Sequence, residues 1–511
     1  MKKSVKISLT VITLAIAAFL VVGISYNCVH AKSYKRAVTK IAGTKNYAVY
    51  HHVLKGGPAG KFTSTKYFKH GQIQSKKYAT TKKGKYWYII VDGRNVGWVN
   101  QNFFARNKIS LAANVSLVRN SYYSFPTRDA INYATDSKGT EIDPQKVHVS
   151  ESSINSSVPG TSKVKYSYGK AEAANTVTVR ADEKEGISSA DKFAMKAPKE
   201  VSTWKGSSKS ASRHWNAAHD FGPETSSNTF KAKGLTLRTR LFQPRFVSLQ
   251  YGQAADKMGQ VGVVPEGITV KDNIFTVSMF YDGNDQHGHL VSYNLNHIKS
   301  KYAAQNLLAL KWSTFKDYAS HIRVSPYIKL GHGQSISSTG KYIYVLANND
   351  KFKNSSASEE IMRIRKSDMK MDKIWTFKIW NKDAANQRYI HNATFANDHT
   401  MYALFHNGGN GRYEYWKVTR NGDTWTPTEI GATQTNFISN GSPVQGFTYD
   451  ANHNQFYIAF NDYIFRVAEN GSYKSRGHLK VRREIEGLSV SGSKLYVEFT
   501  KRPELTVGKT K

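Results

Sequence analysis

The sequence predicts an all-β protein with several domains: a small barrel, a two-sheet sandwich and a C-terminal β-propeller. Short runs of β-branched and aromatic residues dominate over helical periodicity, and Phe, Trp and Tyr make up 12% of the chain. Gly, Pro, Asn and Asp separate these runs, as turns between short strands require. In the C-terminal half, a unit of two strands joined by a turn recurs five times. These three observations favour β-sheet domains over helical ones.

The first 31 residues have the pattern of a signal peptide. Three lysines precede the apolar run 11–24, and Val29-His30-Ala31 supplies small residues at the −3 and −1 positions for cleavage before Lys32. An uncleaved anchor is the alternative, although the run is short for a spanning helix. The single cysteine, Cys28, precedes the cleavage site, so neither disulfides nor thiol chemistry are expected in the mature chain. Residues 504–511 show no sorting signal, so any retention at the envelope is expected to be non-covalent.

Positive charge is concentrated near the N-terminus. The whole chain has a net charge of +36, and residues 31–108 contain 17 Lys or Arg but one acidic residue, Asp92. Residues 109–182 are almost neutral, with 8 basic and 7 acidic residues. So basic a small β-module is predicted to bind a polyanion, although a charge run can also be a solvated face. The predicted ligand-binding residues are Lys76, Lys77, Lys82, Lys83, Lys85 and Arg94.

Short strands separated by Gly-Pro-rich turns predict an SH3-like barrel over residues 32–108. The segment resembles the GW module, a cell-wall-binding repeat of Gram-positive surface proteins and autolysins. The resemblance rests on Val49-Tyr50, Tyr86-Trp87-Tyr88, Gly97-Trp98-Val99, Phe103 and Ala105. It implies an extracellular, cell-wall-associated protein that binds lipoteichoic acid or another cell-envelope polyanion. Trp87 and Trp98 are expected in the core, and the chain has one copy where the family usually has tandem copies, so avidity is missing.

Residues 109–182 contain short alternating strands that favour a sandwich. They resemble a bacterial immunoglobulin-like domain in 136–142, 157–160, 166–169 and the final Val177-x-Val179. The resemblance implies a stalk without chemistry of its own. Residues 183–230 are rich in Ser, Lys and Ala and are interpreted as a linker.

Residues 231–511 repeat one unit: a polar residue, a small residue, a strand, a turn and a β-aromatic strand. The polar residues, here called the anchors, are Glu266, Gln334, His391, Gln445 and Glu486. Five units predict a propeller of five blades, with strands near 235–251 completing the last one. A two-sheet sandwich remains an alternative, and the spacing leaves room for a sixth blade within 297–330.

The anchors are expected at one end of the innermost strands, where they would surround one mouth of the propeller channel. The alternative is a structural role between blades. Glu266, His391 and Glu486 are also candidate acids or bases for catalysis. Residues 282–289 contain acidic residues and a His-x-His, but Asp-Gly-Asn is ordinary hairpin chemistry, so no metal and no cofactor are predicted.

Two functions follow from these patterns. The first is a secreted, non-covalently wall-associated binding protein, whose propeller recognises carbohydrate or a host-surface ligand. Exposed rings and cations would contact that ligand, with candidates Trp380, Arg388, Tyr389, Tyr413 and Trp425. The second is a wall-associated hydrolase or lyase acting on a polysaccharide or teichoic-acid-like polymer in the channel. A specific nucleic-acid partner is not expected, and membrane contact is expected only through an uncleaved signal segment.

Overall fold

The computed structural model describes 19 segments of the chain together with residues 379 and 390. The segments are 29–67, 73–91, 94–111, 114–118, 124–180, 208–209, 227–243, 264–280, 287–298, 321–325, 328–347, 359–369, 371–377, 392–407, 412–433, 436–439, 442–481, 483–500 and 503–511.

 Residues 1–28 of the predicted signal peptide and most of the predicted linker lie outside these segments. Within them, no helix is both long and apolar enough to cross a membrane.

The chain divides into two compact units. The first is drawn from Met1–Lys108 and Thr135–Ile142, and the second from Ile109–Ala134 and Asp143–Lys511. The segment Thr135–Ile142, which lies inside the predicted 109–182 domain, therefore belongs with the barrel.

The first unit contains a six-stranded antiparallel sheet in the order β1-β4-β5-β6-β2-β3. Its strands are β1 (Lys32–Lys40), β2 (Ala48–Leu54), β3 (Gly57–Ser64), β4 (Ile73–Thr81), β5 (Gly84–Val91) and β6 (Arg94–Asn100), with short 3-10 helices at Thr65–Tyr67 and Gln101–Phe103. Trp87, Ile89 and Val91 alternate along β5 and point into the core. Gly97 is required beside Trp98, because a Cβ at Gly97 would lie 2.7 Å from the main-chain oxygen of Tyr50. The Gly-Trp pair thus permits close approach of β2 and β6.

The next strands are short. They are β7 (Lys108–Leu111), β8 (Asn114–Val118), β9 (Phe125–Pro126), β10 (Ile131–Thr135), β11 (Glu141–Ile142), β12 (His148–Val149), β13 (Ser153–Ile154), β14 (Gly160–Tyr168) and β15 (Ala171–Arg180), with 3-10 helices at Thr127–Ala130 and Pro144–Lys146. One sheet has the order β12-β14-β15-β8, in which β8 runs parallel to β15, and a second pairs β13 with β9. The buried hydroxyl of Tyr166 donates to the main-chain oxygen of Thr127 at 2.9 Å, which ties β14 to the helix after β9. Two sheets joined in this way form the predicted sandwich.

The described residues of the C-terminal region form five sheets, which we call blades 1 to 5. Blade 1 contains β18 (Val264–Lys271), β19 (Ile274–Phe280), β20 (His287–Asn294), β21 (Ile322–Val324) and β22 (Ile328–Lys329); blade 2 contains β23 (Ile336–Ser338), β24 (Tyr342–Ala347), β25 (Glu359–Arg365) and β26 (Met371–Phe377). Blade 3 contains β27 (Asn392–Asn397), β28 (Thr400–Asn407), β29 (Arg412–Asn421) and β30 (Thr424–Thr433); blade 4 contains β31 (Gly446–Asp450), β32 (Gln455–Ala459), β33 (Tyr463–Ala468) and β34 (Tyr473–His478). Blade 5 combines β35 (Ile485–Ser491), β36 (Lys494–Phe499) and β37 (Glu504–Lys509) with β16 (Thr229–Ala232) and β17 (Leu235–Phe242).

These blades form a closed ring. The innermost strands β18, β23, β27, β31 and β35 contact one another in that order, and β35 contacts β18. The sequence predicts that strands near 235–251 complete the last blade. In the described residues β16 and β17, within 229–242, complete blade 5, with β17 pairing β37. The region is therefore a β-propeller and not a two-sheet sandwich.

The range 297–330 does not insert a separate blade between β18 and β23. Its described strands, β21 and β22, pair with β20 in blade 1. The inner strands on either side of this range are also in direct contact, since the Gly267 amide donates to the Gly333 oxygen at 3.1 Å.

Candidate functional site

The predicted lysines of the barrel lie on and around the β4–β5 hairpin. Lys76, Lys82 and Lys83 are exposed, and the last two occupy the turn between the strands. Lys77 and Lys85 are half-buried. The side chain of Arg94 lies outside the described residues. Among the described residues, no ion pair joins a carboxylate to any of these five lysines.

Lys77 lies on an aromatic surface. Its Nζ is 4.3 Å from the ring centre of Tyr88 and 5.5 Å from that of Trp98. The two rings meet edge to face at 5.4 Å. Tyr86 and Trp98 belong to a buried apolar cluster against which Tyr88 packs. A cation held over aromatic rings provides both charge and an apolar face to a ligand.

Lys85 lies on the opposite face of the hairpin. Its Nζ is 4.8 Å from the ring centre of Tyr78. In the β4–β5 register Lys77 faces Tyr88 while Tyr78 faces Trp87, and neighbouring residues of a strand point to opposite sides. The predicted lysines therefore do not form one flat patch but surround the hairpin and its turn.

Sequence reasoning missed Lys40, which is buried in the first unit. Only 1% of Lys40 is exposed, and its Nζ lies 3.6 Å from the ring centre of Trp87. The ammonium group donates to the main-chain oxygen of Lys138 at 2.8 Å and to Thr140 Oγ1 at 2.9 Å. Burial lowers the pKa of Lys40 from 10.5 to about 7, partly opposed by the charge of Asp136.

In the propeller, a ring of hydroxyl groups joins the inner strands. The hydroxyl residue follows each anchor by three positions; the five are Thr269, Ser337, Thr394, Thr448 and Ser489. Thr269 Oγ1 accepts the Ser338 amide at 2.8 Å, and Ser489 Oγ accepts the Val270 amide at 2.8 Å. In the same way, the Phe395 amide donates to Ser337 Oγ at 2.9 Å, and the Val490 amide donates to Thr448 Oγ1 at 3.1 Å.

Each bond joins the residue three positions after one anchor to the residue four positions after the next anchor. The inner strands therefore run parallel to one another. The four described anchors, Glu266, Gln334, Gln445 and Glu486, consequently lie at the same end of the channel. The five hydroxyl residues line a channel cavity of about 170 Å³. The sequence contained this repeat, and its signal was the Ser or Thr at a constant distance from each anchor.

The structure brings four anchors together at this end of the channel. Gln334 Nε2 donates to Gln445 Oε1 at 2.6 Å, and Glu266 is hydrogen-bonded to both Glu486 and Gln334. Gln445 Nε2 also donates to Asn461 at 3.2 Å. His391, the fifth anchor, lies outside the described residues.

Glu266 is the most perturbed group of this cluster. It is 7% exposed, and burial, with the charge of Glu484 next in importance, raises its pKa from 4.5 to about 8. Hydrogen bonds from Glu486 and Gln334 act in the opposite direction. Glu266 Oε2 has no hydrogen-bond partner among the described residues. Since two carboxyl groups hydrogen-bond to each other only through a proton, the pair of Glu266 and Glu486 holds one near neutral pH.

The small residue after each anchor has a packing role. A Cβ at Gly267 would lie 2.6 Å from the main-chain oxygen of Gln334, and one at Gly487 would lie 2.9 Å from the Ile268 nitrogen. The structural explanation that the sequence left open therefore applies to this position.

A second buried carboxyl, not predicted from sequence, lies in blade 5. Burial and the charge of Glu504 raise the pKa of Glu498 well above its usual range, opposed by Arg483 and a hydrogen bond from Gln243. Glu498 pairs with Gly487 across β35 and β36. The signal was the concentration of glutamates within 484–504 of a strongly basic chain.

Of the five candidate ligand contacts in the propeller, two are buried and three lie outside the described residues. Tyr413 and Trp425 are 2% and 0% exposed and lie in the cores between blades, so their prediction as surface contacts is wrong. Trp380, Arg388 and Tyr389 lie outside the described residues, as do residues 282–286 of the 282–289 loop. His289 Nδ1 is 2.9 Å from the Ser325 oxygen. In the part of the chain that the structure describes, no group of three His, Cys, Asp or Glu is arranged to hold a metal ion.

Comparison with known proteins identifies two of the three domains. Residues 31–105 match the GW (Gly-Tryp) dipeptide domain, and residues 124–179 match the bacterial Ig-like domain (group 3). Both resemblances seen in the sequence are thereby confirmed, and both modules are of the kind that cell-surface proteins carry. A search of the curated proteins finds no match.

Solved structures similar to this chain have low sequence identity. Glutaminyl cyclase from Myxococcus xanthus is 9% identical, with 55% of this chain and 95% of that chain covered and a TM-score of 0.31. Virginiamycin B lyase from Staphylococcus aureus is 14% identical, with 55% and 100% covered and a TM-score of 0.29. The β-propeller domain of Cps50 (Swd1) from Myceliophteria thermophila is 10% identical, with 46% and 62% covered and a TM-score of 0.25. The propeller assignment rests on the strand topology.

Proposed function

We propose that the chain is an extracellular protein held non-covalently at the cell wall, whose GW domain binds a teichoic-acid-type polyanion. The observation that carries this proposal is the charge of the barrel, with 17 Lys or Arg against one acidic residue in 31–108. A polyphosphate chain would gain from many such cations at once, and the attraction would weaken as salt is added. Lys77 over Tyr88 adds a surface on which the backbone of the polymer can pack.

The propeller, in this proposal, recognises carbohydrate or another surface ligand. A propeller can equally carry catalytic residues, so the fold alone does not decide between binding and catalysis. The sandwich serves as a spacer between the two binding domains.

The experiment compares full-length proteins on purified cell walls with and without lipoteichoic acid. In the barrel variant, Lys76, Lys77, Lys82 and Lys83 are each changed to Gln. The control changes four exposed lysines of the second unit to Gln: Lys163, Lys231, Lys341 and Lys417. We expect the barrel variant to lose salt-sensitive binding to walls that contain lipoteichoic acid, whereas the control retains it. Equal binding of the two variants would refute the proposed role of the barrel.

A second candidate function is hydrolysis or elimination at the channel mouth. The observation that favours it is the protonated pair of Glu266 and Glu486, because a carboxyl with a pKa of about 8 can act as a general acid at neutral pH. Glu486 would be the partner base. A substrate would have to separate the two groups, since carboxyls that flank a glycosidic bond stand about 5 Å or more apart.

Its test is product release from a purified wall polysaccharide or teichoic acid by the full chain. Activity that disappears in both Glu266→Gln and Glu486→Gln, with the thermal midpoint retained, would support catalysis. Activity that survives both substitutions would refute this assignment of the acid and base.

A further inference from the structure

A basic groove of about 850 Å³ lies between the outer strands of blade 4 and the strands that close blade 5. Seven Lys or Arg side chains and His478 line it, and no Asp or Glu does. Six of the cations are Lys233, Arg466, Lys474, Arg476, Lys480 and Lys509. They come from β33, β34 and the residues that follow it, the β16–β17 turn and β37, so they meet only because blade 5 closes beside blade 4. None of them was among the residues predicted from sequence.

Lys474 Nζ donates to the uncharged Gln455 Oε1 at 3.0 Å, which fixes the direction of this side chain without cancelling its charge. Arg466 Nη1 donates to the main-chain oxygen of Lys511 at 2.6 Å. Behind the wall, the buried carboxylate of Asp462 lies 3.0 Å from His478 Nε2. A second buried carboxylate, Asp450, accepts from Gln455 Nε2 at 3.1 Å. Because seven Lys or Arg side chains line the groove against these two carboxylates behind it, the groove has a positive potential.

Tyrosine rings form the apolar part of the same wall. Tyr463 stacks on His478, with ring centres 4.3 Å apart and planes 6° apart, and Tyr457 and Tyr473 also line the groove. Rings and phenol groups suit the faces and hydroxyls of sugars. The volume is at the upper end of ordinary ligand pockets, about 300–1,000 Å³, and so exceeds what a single inorganic anion needs.

We propose that this groove binds a polysaccharide that carries phosphate or sulfate esters. The cations contact the ester groups and the tyrosines contact the sugars. The inference names the site and ligand class for the propeller half of the proposed function, on which it rests. It does not depend on the barrel.

The test uses full-length protein with three groove lysines changed together, Lys474→Gln, Lys480→Gln and Lys509→Gln. All three side chains are exposed, so the fold is expected to tolerate them, and a thermal melt checks this. The matched control is Lys163→Gln, Lys341→Gln and Lys417→Gln, which removes the same charge from exposed positions away from the groove. Both sets are made in the wild-type chain and in the barrel variant, so that binding by the barrel does not conceal the groove.

Binding is measured to lipoteichoic acid, dextran sulfate, unmodified dextran and single-stranded DNA. In the barrel variant, we expect the groove substitutions to weaken binding to lipoteichoic acid or dextran sulfate by about tenfold or more and the control set to change it by about twofold or less. Loss confined to one of the two polymers identifies the ester as phosphate or sulfate. Equal affinities of the groove and control sets would overturn the inference, as would an equal loss for DNA, which would indicate unspecific attraction.

The two proposals can fail separately. If the barrel variant binds walls like the wild type while the groove set loses polymer binding, the barrel proposal fails and the groove stands. If the barrel variant loses wall binding and the groove set matches its control, the groove inference fails and the barrel proposal stands.

Discussion

Lys40 makes the stability of the barrel depend on pH in an unusual direction. In the folded chain its pKa is lowered to about 7, whereas the unfolded chain has the ordinary value of 10.5. Between these values the unfolded state binds more protons than the folded state. Stability therefore rises as pH increases from about 7 to 10.5 and is lost as pH falls to 7, where the buried amine must carry its charge.

The magnitude follows from the same contacts. Each pH unit between the two pKa values changes the free energy of unfolding by about 1.4 kcal/mol, so the full window corresponds to about 5 kcal/mol. The contact of Nζ with the Trp87 ring at 3.6 Å favours the charged form. A desolvated cation–π contact is worth about 2 kcal/mol, so we expect a net gain of about 3 kcal/mol across the window.

The perturbation is Lys40→Met, which keeps the apolar length of the side chain and removes the amine. We expect the variant to be more stable than the wild type at pH 6, because it buries no charge. At pH 10 we expect it to be less stable by about 1 kcal/mol, because the oxygen of Lys138 and Thr140 Oγ1 lose a hydrogen-bond donor. The difference in stability should thus change sign with pH.

The assay is urea unfolding of the full chain at pH 6, 8 and 10, with brief thermolysin digestion at each urea concentration. Mass spectrometry of peptides from β1 and β5 reports the barrel separately from the propeller. Lys76→Met is the control, since Lys76 is exposed. If Lys40→Met has the same pH dependence as the wild type, the reasoning about the buried amine is refuted.

Three further predictions concern the propeller. The pKa of Glu266 is about 8 in the folded chain and 4.5 in the unfolded chain, so the free energy of unfolding falls as pH rises between these values. Calorimetry at pH 5 and 9 should show a smaller fall for Glu266→Gln than for the wild type. An equal fall would contradict the burial argument. Gly267→Ala should cost about 1–3 kcal/mol in urea unfolding because its Cβ meets the Gln334 oxygen, while Gly340→Ala, with no atom within 4 Å, should cost far less. Thr269→Val should cost about 1–3 kcal/mol by depriving the Ser338 amide of its acceptor, whereas Thr269→Ser should retain most of the stability; similar losses for both would argue against that bond.

Local pattern was sufficient for the domain types and for the ring of blades. The Gly-Trp pair marks a close approach of two strands, which depends on residues adjacent in the sequence. The five anchors likewise mark the start of each inner strand, because every blade repeats the same local arrangement. Patterns that repeat in the chain are visible in it without knowledge of the tertiary structure.

Features created by distant segments were not predictable in this way. Lys40 is one of 17 basic residues in its region, and its burial depends on residues 98 and 100 positions away. The groove cations belong to three separate stretches that meet only in the folded ring. Tyr413 and Trp425 were misjudged because an aromatic residue in a strand can point outward or between two sheets, and the alternation of β29 and β30 places these two inside.

The closure of blade 5 also determines when the propeller can finish folding. Asn228 and Glu504 form a hydrogen bond although 276 positions separate them, so the ring closes only after nearly the whole domain has been made. Contacts between such distant residues slow folding. Until β37 arrives, β17 presents an unpaired edge that could join a strand of another chain, and charged residues such as Arg238 discourage that pairing. The propeller is therefore most exposed to misassembly in the interval before its last strand is in place.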